Sequence, residues 1–479
     1  MNEKLQTFID ERGPIKKIGV VGMGYVGIPA AVLFADAPEF ESVLGFQRAS
    51  PSSGYKIDML NRGESPLKGE EPGLPELLKR VVDAGKFRCT PDFSEIAGCD
   101  AVTLAIQTPF ADPKDLIPDF SALIEGLRNV GRHITRGALV VLESTVTPGT
   151  TEHMARDILE EESGFIAGED FALAHAPERV MVGRLLKNIR EHDRIVGGID
   201  GISTTRATEL YRPVLTTGQI IPMSATAAEV TKTAENAFRD LQIAAVNQLA
   251  LHCEAMGVNV YDVRAGIDSL KGEGITRAIL WPGAGVGGHC LTKDSWHLER
   301  GAQVLGGDLW YPHGAESIFG VARAINEFMP RHMVHLTTEG LRRAGKRVEG
   351  ATVALLGWAF IQNSDDTRNT PAEPYLAAME EAGATVRVHD PFVDGYPGLE
   401  LSHDLEETLA GADVVTIFTA HHHYASLDPA RVKELSGKEH PVIVDGRNII
   451  DPGVFIRAGF IYKGIGRGDR NSHPIRRSP

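Results

Sequence analysis

The sequence predicts an α/β protein with two doubly wound parallel sheets joined by a central helical region. Three observations carry this. Apolar strand-like runs alternate with helical periodicity from Lys17 onward, the same alternation resumes at Ala351, and an alanine-rich helical pattern runs without interruption between Ser224 and Gly257. Strands that alternate with helices pair in parallel, and their ligand sites lie at the carboxyl ends of the strands.

The 479 residues correspond to about three domains at one per ~150 residues. They are read as an N-terminal extension (1–16), a nucleotide-binding domain (17–215), a central helical region (216–335), a second α/β domain (336–466) and a disordered tail (467–479) rich in Arg, Ser and Pro. Lys+Arg 49 against Asp+Glu 64 gives a net charge of -15, which argues against a nucleic-acid or anionic-membrane surface. Cys89, Cys99, Cys253 and Cys290 are scattered, with no close metal-ligand pairs, so neither a disulfide framework nor a metal site is expected. The first residues are charged and amphipathic, and no run reaches the ~18 apolar residues of a membrane span, so the expected location is cytoplasmic.

The first strand, Lys17-Ile-Gly-Val-Val, runs into Gly22-x-Gly24-Tyr25-Val26-Gly27 and then a helical pattern, the strand-turn-helix context in which G-x-G-x-x-G binds a dinucleotide. Gly22 makes the tight turn, Gly24 lets the backbone approach a pyrophosphate, Gly27 packs helix on strand, and the helix start faces the phosphates; this is a Rossmann-like domain. The next strand, Ser42–Phe46, should end in a carboxylate for the adenosine ribose but is followed by Gln47 and Arg48. Gln47 can still hydrogen-bond a diol, without the charge that repels a 2′-phosphate, so NAD is the expected cofactor and NADP the alternative.

Later strands end at Thr108-Pro109, at Glu143-Ser-Thr145, and at Pro177-Glu178-Arg179. Thr145 taken singly reads equally as a helix cap, and Glu178-Arg179 equally as a candidate acid/base or a surface ion pair. On the long helix, roughly 45–50 Å at 1.5 Å per residue, Lys232 and Asn236 are one turn apart and share a face. Such a helix links two domains and offers a face for dimerisation. Gly283, Gly285, Gly287 and Gly288 then lead into His289-Cys290, Lys293 and Asp294, which reads as a loop bringing main-chain amides and a thiol to a substrate, or as a glycine turn with a buried cysteine. The second α/β segment lacks a full G-x-G-x-x-G and is expected to bind something other than a dinucleotide, and His421-His-His423 reads as a loop at a strand end rather than a metal site.

Together, Gly22-x-Gly24-Tyr25-Val26-Gly27, Glu143-Ser-Thr145-Val-x-Pro-Gly-Thr, Pro177-Glu178-Arg179, Lys232-x-x-x-Asn236, Gly283-x-Gly-x-Gly-Gly-x-Cys290-x-x-Lys293-Asp294 and Asp366-x-Arg368-x-x-Pro371 resemble the UDP-glucose/GDP-mannose dehydrogenase family, in order from Lys17 to Arg447. The resemblance implies an N-terminal NAD domain, a central dimerisation region, a C-terminal UDP-sugar domain, a homodimer or higher homo-oligomer, and two successive oxidations of a C6 alcohol to a carboxylate. It implies Lys232 at the alkoxide, Asp294 with a water as base, Cys290 as nucleophile through a thiohemiacetal and thioester, Glu178 in hydrolysis and Asn236 at the oxyanion. Glu143, Thr145 and Lys293 match cofactor-side positions, and Thr145 also stands among the catalytic residues. Arg179, Arg239, Gly287, Gly288, His289 and Arg447 join Glu178, Lys232 and Asn236 on the substrate side. Two residues depart from the family pattern: Gln47, and Ile361 where a lysine usually follows Phe360, for which Arg447 and Arg368 are candidate replacements. Arg368 reads equally as an ion-pair partner of Asp365 or Asp366. Histidine before the cysteine is more similar to the UDP-N-acetylhexosamine branch; UDP-glucose as substrate, and a non-catalytic sugar-nucleotide binder, stay open.

Overall fold

The computed structural model describes residues 3–51, 53–67, 71–112, 117–270, 279–305 and 317–471. The chain divides into two compact units. One holds the chain up to Glu235 and the stretch starting at Lys293; the other holds Asn236–Thr292 and the chain from the helix Ile318–Arg343 onward.

In the first unit the strands are β1 (Lys17–Val21), β2 (Ser42–Phe46), β3 (Phe87–Thr90), β4 (Ala101–Leu104), β5 (Phe110–Asp112), β6 (Ile117–Pro118), β7 (Leu139–Leu142), β8 (Ala172–His175), β9 (Arg194–Gly198) and β10 (Ile220–Ser224). Eight of them form one sheet in the order β10-β9-β8-β7-β4-β1-β2-β3, while β5 and β6 make a separate antiparallel pair. Successive residues of β7 enter opposite cores, Leu139 and Val141 on one face and Val140 and Leu142 on the other. This explains why the central strands read as unbroken apolar runs rather than alternating ones. The order reverses between β1 and β4, the switch point at which such sheets bind ligands. One feature departs from the expected all-parallel sheet. β9 pairs antiparallel with β8, and β10 pairs parallel with β9, so the last two strands run the other way.

The N-terminal extension is part of this unit. Its helix Glu3–Arg12 buries Leu5 and Ile9 in the core, and Arg12 reaches Asp100 at 2.8 Å and the Cys99 carbonyl at 2.6 Å.

The second unit holds β11 (Thr352–Leu356), β12 (Thr385–His389), β13 (Leu401–Ser402), β14 (Val414–Ile417), β15 (Val442–Asp445) and β16 (Ile461–Gly464), all parallel, in the order β13-β12-β11-β14-β15-β16. The expected long helix is Ala225–Met256, 32 residues. Ser224 Oγ accepts from the Ala227 N–H at 3.2 Å as its N-terminal cap, and Gly257 follows its end at φ +69°. The unit boundary falls inside this helix, between Glu235 and Asn236.

The tail begins later than its composition suggests. Gly468–Asn471 form a short helix, and the buried Asn471 side chain bonds Glu254 at 3.1 Å and the Gly464 N–H at 2.9 Å. A composition-based reading misses this anchor because its partners, Glu254, Val258, Lys463 and Gly464, come from elsewhere in the unit. The residues beyond Asn471 lie outside those described. No helix among the described residues is long and apolar enough to cross a membrane.

Candidate active site

The first unit carries a nucleotide cradle. Gly22 sits at φ +100°, and a Cβ there would lie 2.5 Å from the Ala105 carbonyl oxygen; at Gly27 it would lie 1.9 Å from the Gly22 carbonyl oxygen. Both positions therefore exclude any side chain, the first by turn and the second by packing. A Cβ at Gly24 would meet nothing within 4 Å, so the turn is open there. The adjoining cleft, about 280 Å³, is lined by Gly22, Met23, Gly24, Gln47, Arg48 and Lys56 among others. Tyr25 and Val26 lead into the helix Gly27–Asp36. These residues fit a dinucleotide at the carboxyl end of β1.

At the ends of β7 and β8 the structure joins two of the expected carboxylates through a residue that the sequence did not single out. Arg194 donates to Glu143 at 2.8 Å and is ion-paired with Glu178; all three are buried. Arg194 opens β9, and because β9 runs opposite to β8, its first residue arrives at the carboxyl end of β8. Tyr211 donates to Glu143 at 2.8 Å and its ring lies 4.1 Å beneath the guanidinium. Burial pushes the Glu143 carboxyl up, with Arg194 and the Tyr211 hydroxyl opposing it. His175, the last residue of β8, is pulled down to about 3 by burial and by the cations of Arg194 and Lys232, so its ring is neutral. Arg179 lies 3.6 Å from Glu235 and bonds the Asp193 carbonyl.

Thr108, which precedes Pro109, donates its hydroxyl to the Thr145 carbonyl at 2.5 Å, tying two strand-end loops together. The following turn is held from the long helix: Glu229 accepts from the Gly149 N–H at 2.6 Å, the Thr151 N–H at 2.8 Å and the Thr151 hydroxyl at 2.7 Å. Three residues on, Lys232 is buried, and so are Lys293 and Asp294, which pair at 3.0 Å.

The second unit holds the cysteine. Gly288 sits at φ +88°, where a Cβ would lie 2.7 Å from the Phe360 ring; at Gly287 it would meet Phe360 at 2.5 Å and the Asn369 carbonyl oxygen at 2.8 Å. These glycines let the loop lie flat on the second unit. The Gly288 N–H donates to the Arg368 carbonyl at 2.8 Å, and the Asn369 amide donates to the Gly288 carbonyl at 3.1 Å. Beyond His289, Cys290 is exposed, whereas Cys89, Cys99 and Cys253 are buried. Burial pushes the thiols of Cys89 and Cys99 up to about 12 and makes them poor nucleophiles.

Arg368 pairs with Asp366 at 2.5 Å and, with Asn369, holds the cysteine loop; the ion-pair reading of Arg368 describes its side chain, and Asp366 is a partner. Arg447 lies beside the same loop, 2.9 Å from where a Cβ on Gly283 would stand, and burial lowers its pKa. Asn236 is buried on the long helix, whereas Arg239 is exposed next to Phe238. Ile361 follows Phe360 without a charge. His421 is buried against Asp390 at 3.1 Å, and among the described residues no group of three or more His, Cys, Asp or Glu is arranged to hold a metal.

Comparison with known proteins decides the family. Models of the UDP-glucose/GDP-mannose dehydrogenase family match in sequence order: the NAD binding domain over 16–215, the central domain over 226–318 and the UDP binding domain over 354–452. A UDP-N-acetyl-D-mannosamine dehydrogenase from Pyrococcus horikoshii is 38% identical, over 95% of this chain and 100% of that protein. The chain belongs to this family. It is a nucleotide-sugar dehydrogenase, with an NAD-binding domain at its N-terminal end and a UDP-binding domain toward its C-terminal end. An NDP-N-acetyl-D-galactosaminuronic acid dehydrogenase from Ralstonia nicotianae is 32% identical over 91% of this chain and 96% of its own. The crystal structure of an NDP-N-acetyl-D-galactosaminuronic acid dehydrogenase from Methanosarcina mazei superposes with a TM-score of 0.86 at 71% identity, covering 98% of this chain and 99% of that one.

Proposed function

We propose that this enzyme oxidises the C6 hydroxyl of a UDP-N-acetylhexosamine to a carboxylate in two two-electron steps, through a covalent adduct on Cys290. The observation that carries the reading is that Cys290 is the exposed thiol, at the end of a pinned glycine loop, while the other three are buried. NAD, when bound in the cradle of Gly22, Gly24 and Gly27, supplies the two-electron acceptor for each oxidation.

Asp294, through a water, takes the hydroxyl proton, and the buried ammonium of Lys232 stabilises the alkoxide as the C6 carbon is oxidised to an aldehyde. The Cys290 thiolate adds to the aldehyde carbon; a C–S bond forms and the oxygen, with Asn236 and Lys232 assigned to it, gains a proton to give a thiohemiacetal. Removal of a second electron pair and two protons leaves a thioester. Water, with Glu178 as its base, attacks the thioester carbon; the C–S bond breaks, the thiolate returns and the uronate leaves. Thr145, Glu143, Lys293, Thr108 and Pro109 serve the cofactor side. Arg179, Arg239, Arg447 and the Gly287–His289 backbone serve the sugar nucleotide.

The acetamido class is supported by His289 before Cys290 and by the names of the relatives, which carry N-acetylmannosamine and N-acetylgalactosaminuronic acid. The uronate is a precursor for polysaccharide or glycan synthesis in the cytoplasm. A homodimer or larger homo-oligomer is supported by exposed apolar side chains on two helices of the second unit: Phe238 (57%), Ile318 (59%), Val321 (42%) and Phe328 (46%).

A UDP-sugar panel tests the substrate. Two NADH per sugar with an N-acetylhexosamine, and at least about tenfold lower kcat/KM with UDP-glucose, is expected; the reverse preference overturns the class. Cys290→Ser should lower uronate formation by roughly 10³-fold or more without loss of cofactor binding. Full turnover in that variant would remove the covalent step.

A further inference from the structure

The residue after β2 normally decides whether a dinucleotide fold accepts a 2′-phosphate, because a carboxylate there accepts from the ribose hydroxyls and repels a phosphate. Here it is Gln47, and the structure fixes which way its amide points. Gln47 Oε1 accepts from the Met23 N–H at 3.2 Å, inside the glycine turn. The backbone N–H is only a donor, so the oxygen must face it and the NH₂ must face away. Nε2 then donates to Ser53 Oγ at 2.9 Å, and Ser53 Oγ lies 2.7 Å from Ser50 Oγ. With its oxygen committed to the turn, Gln47 offers the cleft an N–H rather than an acceptor.

The surrounding groups share this polarity. Lys56 reaches the Met23 carbonyl at 3.2 Å, and Arg48 stands at the rim in an exposed pair with Glu125 at 2.5 Å. Burial lowers the Lys56 pKa, which an arriving dianion would reverse. The cleft wall thus carries an amide N–H, the Ser53 hydroxyl backed by that of Ser50, and two cations against one rim carboxylate, a donor set for a phosphate ester rather than for a neutral diol.

We infer that the cofactor cleft of this enzyme holds a 2′-phosphate subsite formed by Gln47, Ser50, Ser53, Arg48 and Lys56, and that the enzyme accepts NADP as well as NAD. This rests on the cleft being the dinucleotide site. Calorimetric titration of the full chain with NAD and with NADP tests it without a sugar substrate. NADP is expected to bind within tenfold of NAD. Gln47→Asp, which restores the carboxylate, should lower the NADP-to-NAD affinity ratio at least thirtyfold. Arg48→Glu, at an exposed position whose fold does not depend on it, should lower that ratio at least tenfold. Wild-type protein that binds NAD but holds NADP more than a hundredfold more weakly overturns the inference, as does a ratio within threefold of wild type in both variants. Loss of binding for both dinucleotides in the wild type would instead remove the cleft assignment itself.

Discussion

The two sheets place different residues at one topological position, and the contrast shows what each unit is for. In each, the strand beside the switch point is followed by a glycine at positive φ, Gly22 at +100° and Gly357 at +95°, and the second residue after the strand gives its N–H to the residue that follows the neighbouring strand. In the first unit that acceptor is Gln47, with the Met23 N–H. In the second it is Asp390, whose Oδ2 takes the Trp358 N–H at 2.7 Å and the Ala359 N–H at 2.9 Å. A carboxylate of the second unit, supported by His421, thus occupies the turn amides that a phosphate would otherwise use. The first unit fills its turn with a neutral amide and stays open at Gly24. The same geometry is internally capped in one sheet and left for a ligand in the other.

Asp390→Asn attacks the capped turn most directly. It puts an NH₂ among N–H donors and removes the charge facing His421, at a cost of about 3–4 kcal/mol. The midpoint of chemical denaturation should fall accordingly; an unchanged midpoint would mean that the cap is dispensable. Next come the opposite pH responses of the buried carboxylates that hold turns in the two units. Burial raises the Asp390 pKa, but the His421 and backbone hydrogen bonds more than offset this and hold it below its ordinary value. Its contribution is therefore present above an unfolded pKa of about 3.9 and lost as pH falls through the lower folded value.

Glu229 is held by neutral donors, and burial pushes it up to about 7 against the Thr151 and Gly149 hydrogen bonds. The folded state keeps a proton that the unfolded chain releases above about pH 4.3, so stability falls as pH rises from there to about 7, by roughly 3–4 kcal/mol in all. Glu229→Gln should flatten that slope in a pH series of thermal midpoints, and an unaltered slope would refute the assignment. The smallest effect belongs to the open turn. Gly24→Ala should weaken NAD binding about tenfold, roughly 1.4 kcal/mol by titration. The thermal midpoint should hold, since its Cβ meets no protein atom.

Much of this was legible in the sequence wherever a residue's role depends on its own element. The glycine turn, the strand ends at Glu143 and Glu178, the Ser224 cap and the place of the cysteine loop all follow from local periodicity and chemistry, whereas the exposure of Cys290 comes only from the fold. What was not legible depends on direction and on distant partners. An apolar run such as Ile195–Gly198 does not state which way its strand points, so nothing marked Arg194 as the partner of both carboxylates. Arg368 sits in a motif, but only the fold shows its carbonyl beneath the cysteine loop. Asn471 lies in a polar tail, and only the position of Glu254 makes it an anchor.

The helix Glu3–Arg12 bears on where the first unit can be cut. The family match starts at 16, just ahead of β1. Asp100, which takes the Lys16 and Lys17 N–H groups at 2.9 Å each, is balanced by Arg12 from before that boundary. A chain cut at residue 16, where the family match starts, would keep the glycine turn and its cleft and lose the guanidinium that balances Asp100 beside β1 and β4. The unit that packs together is longer than the family match by one short helix.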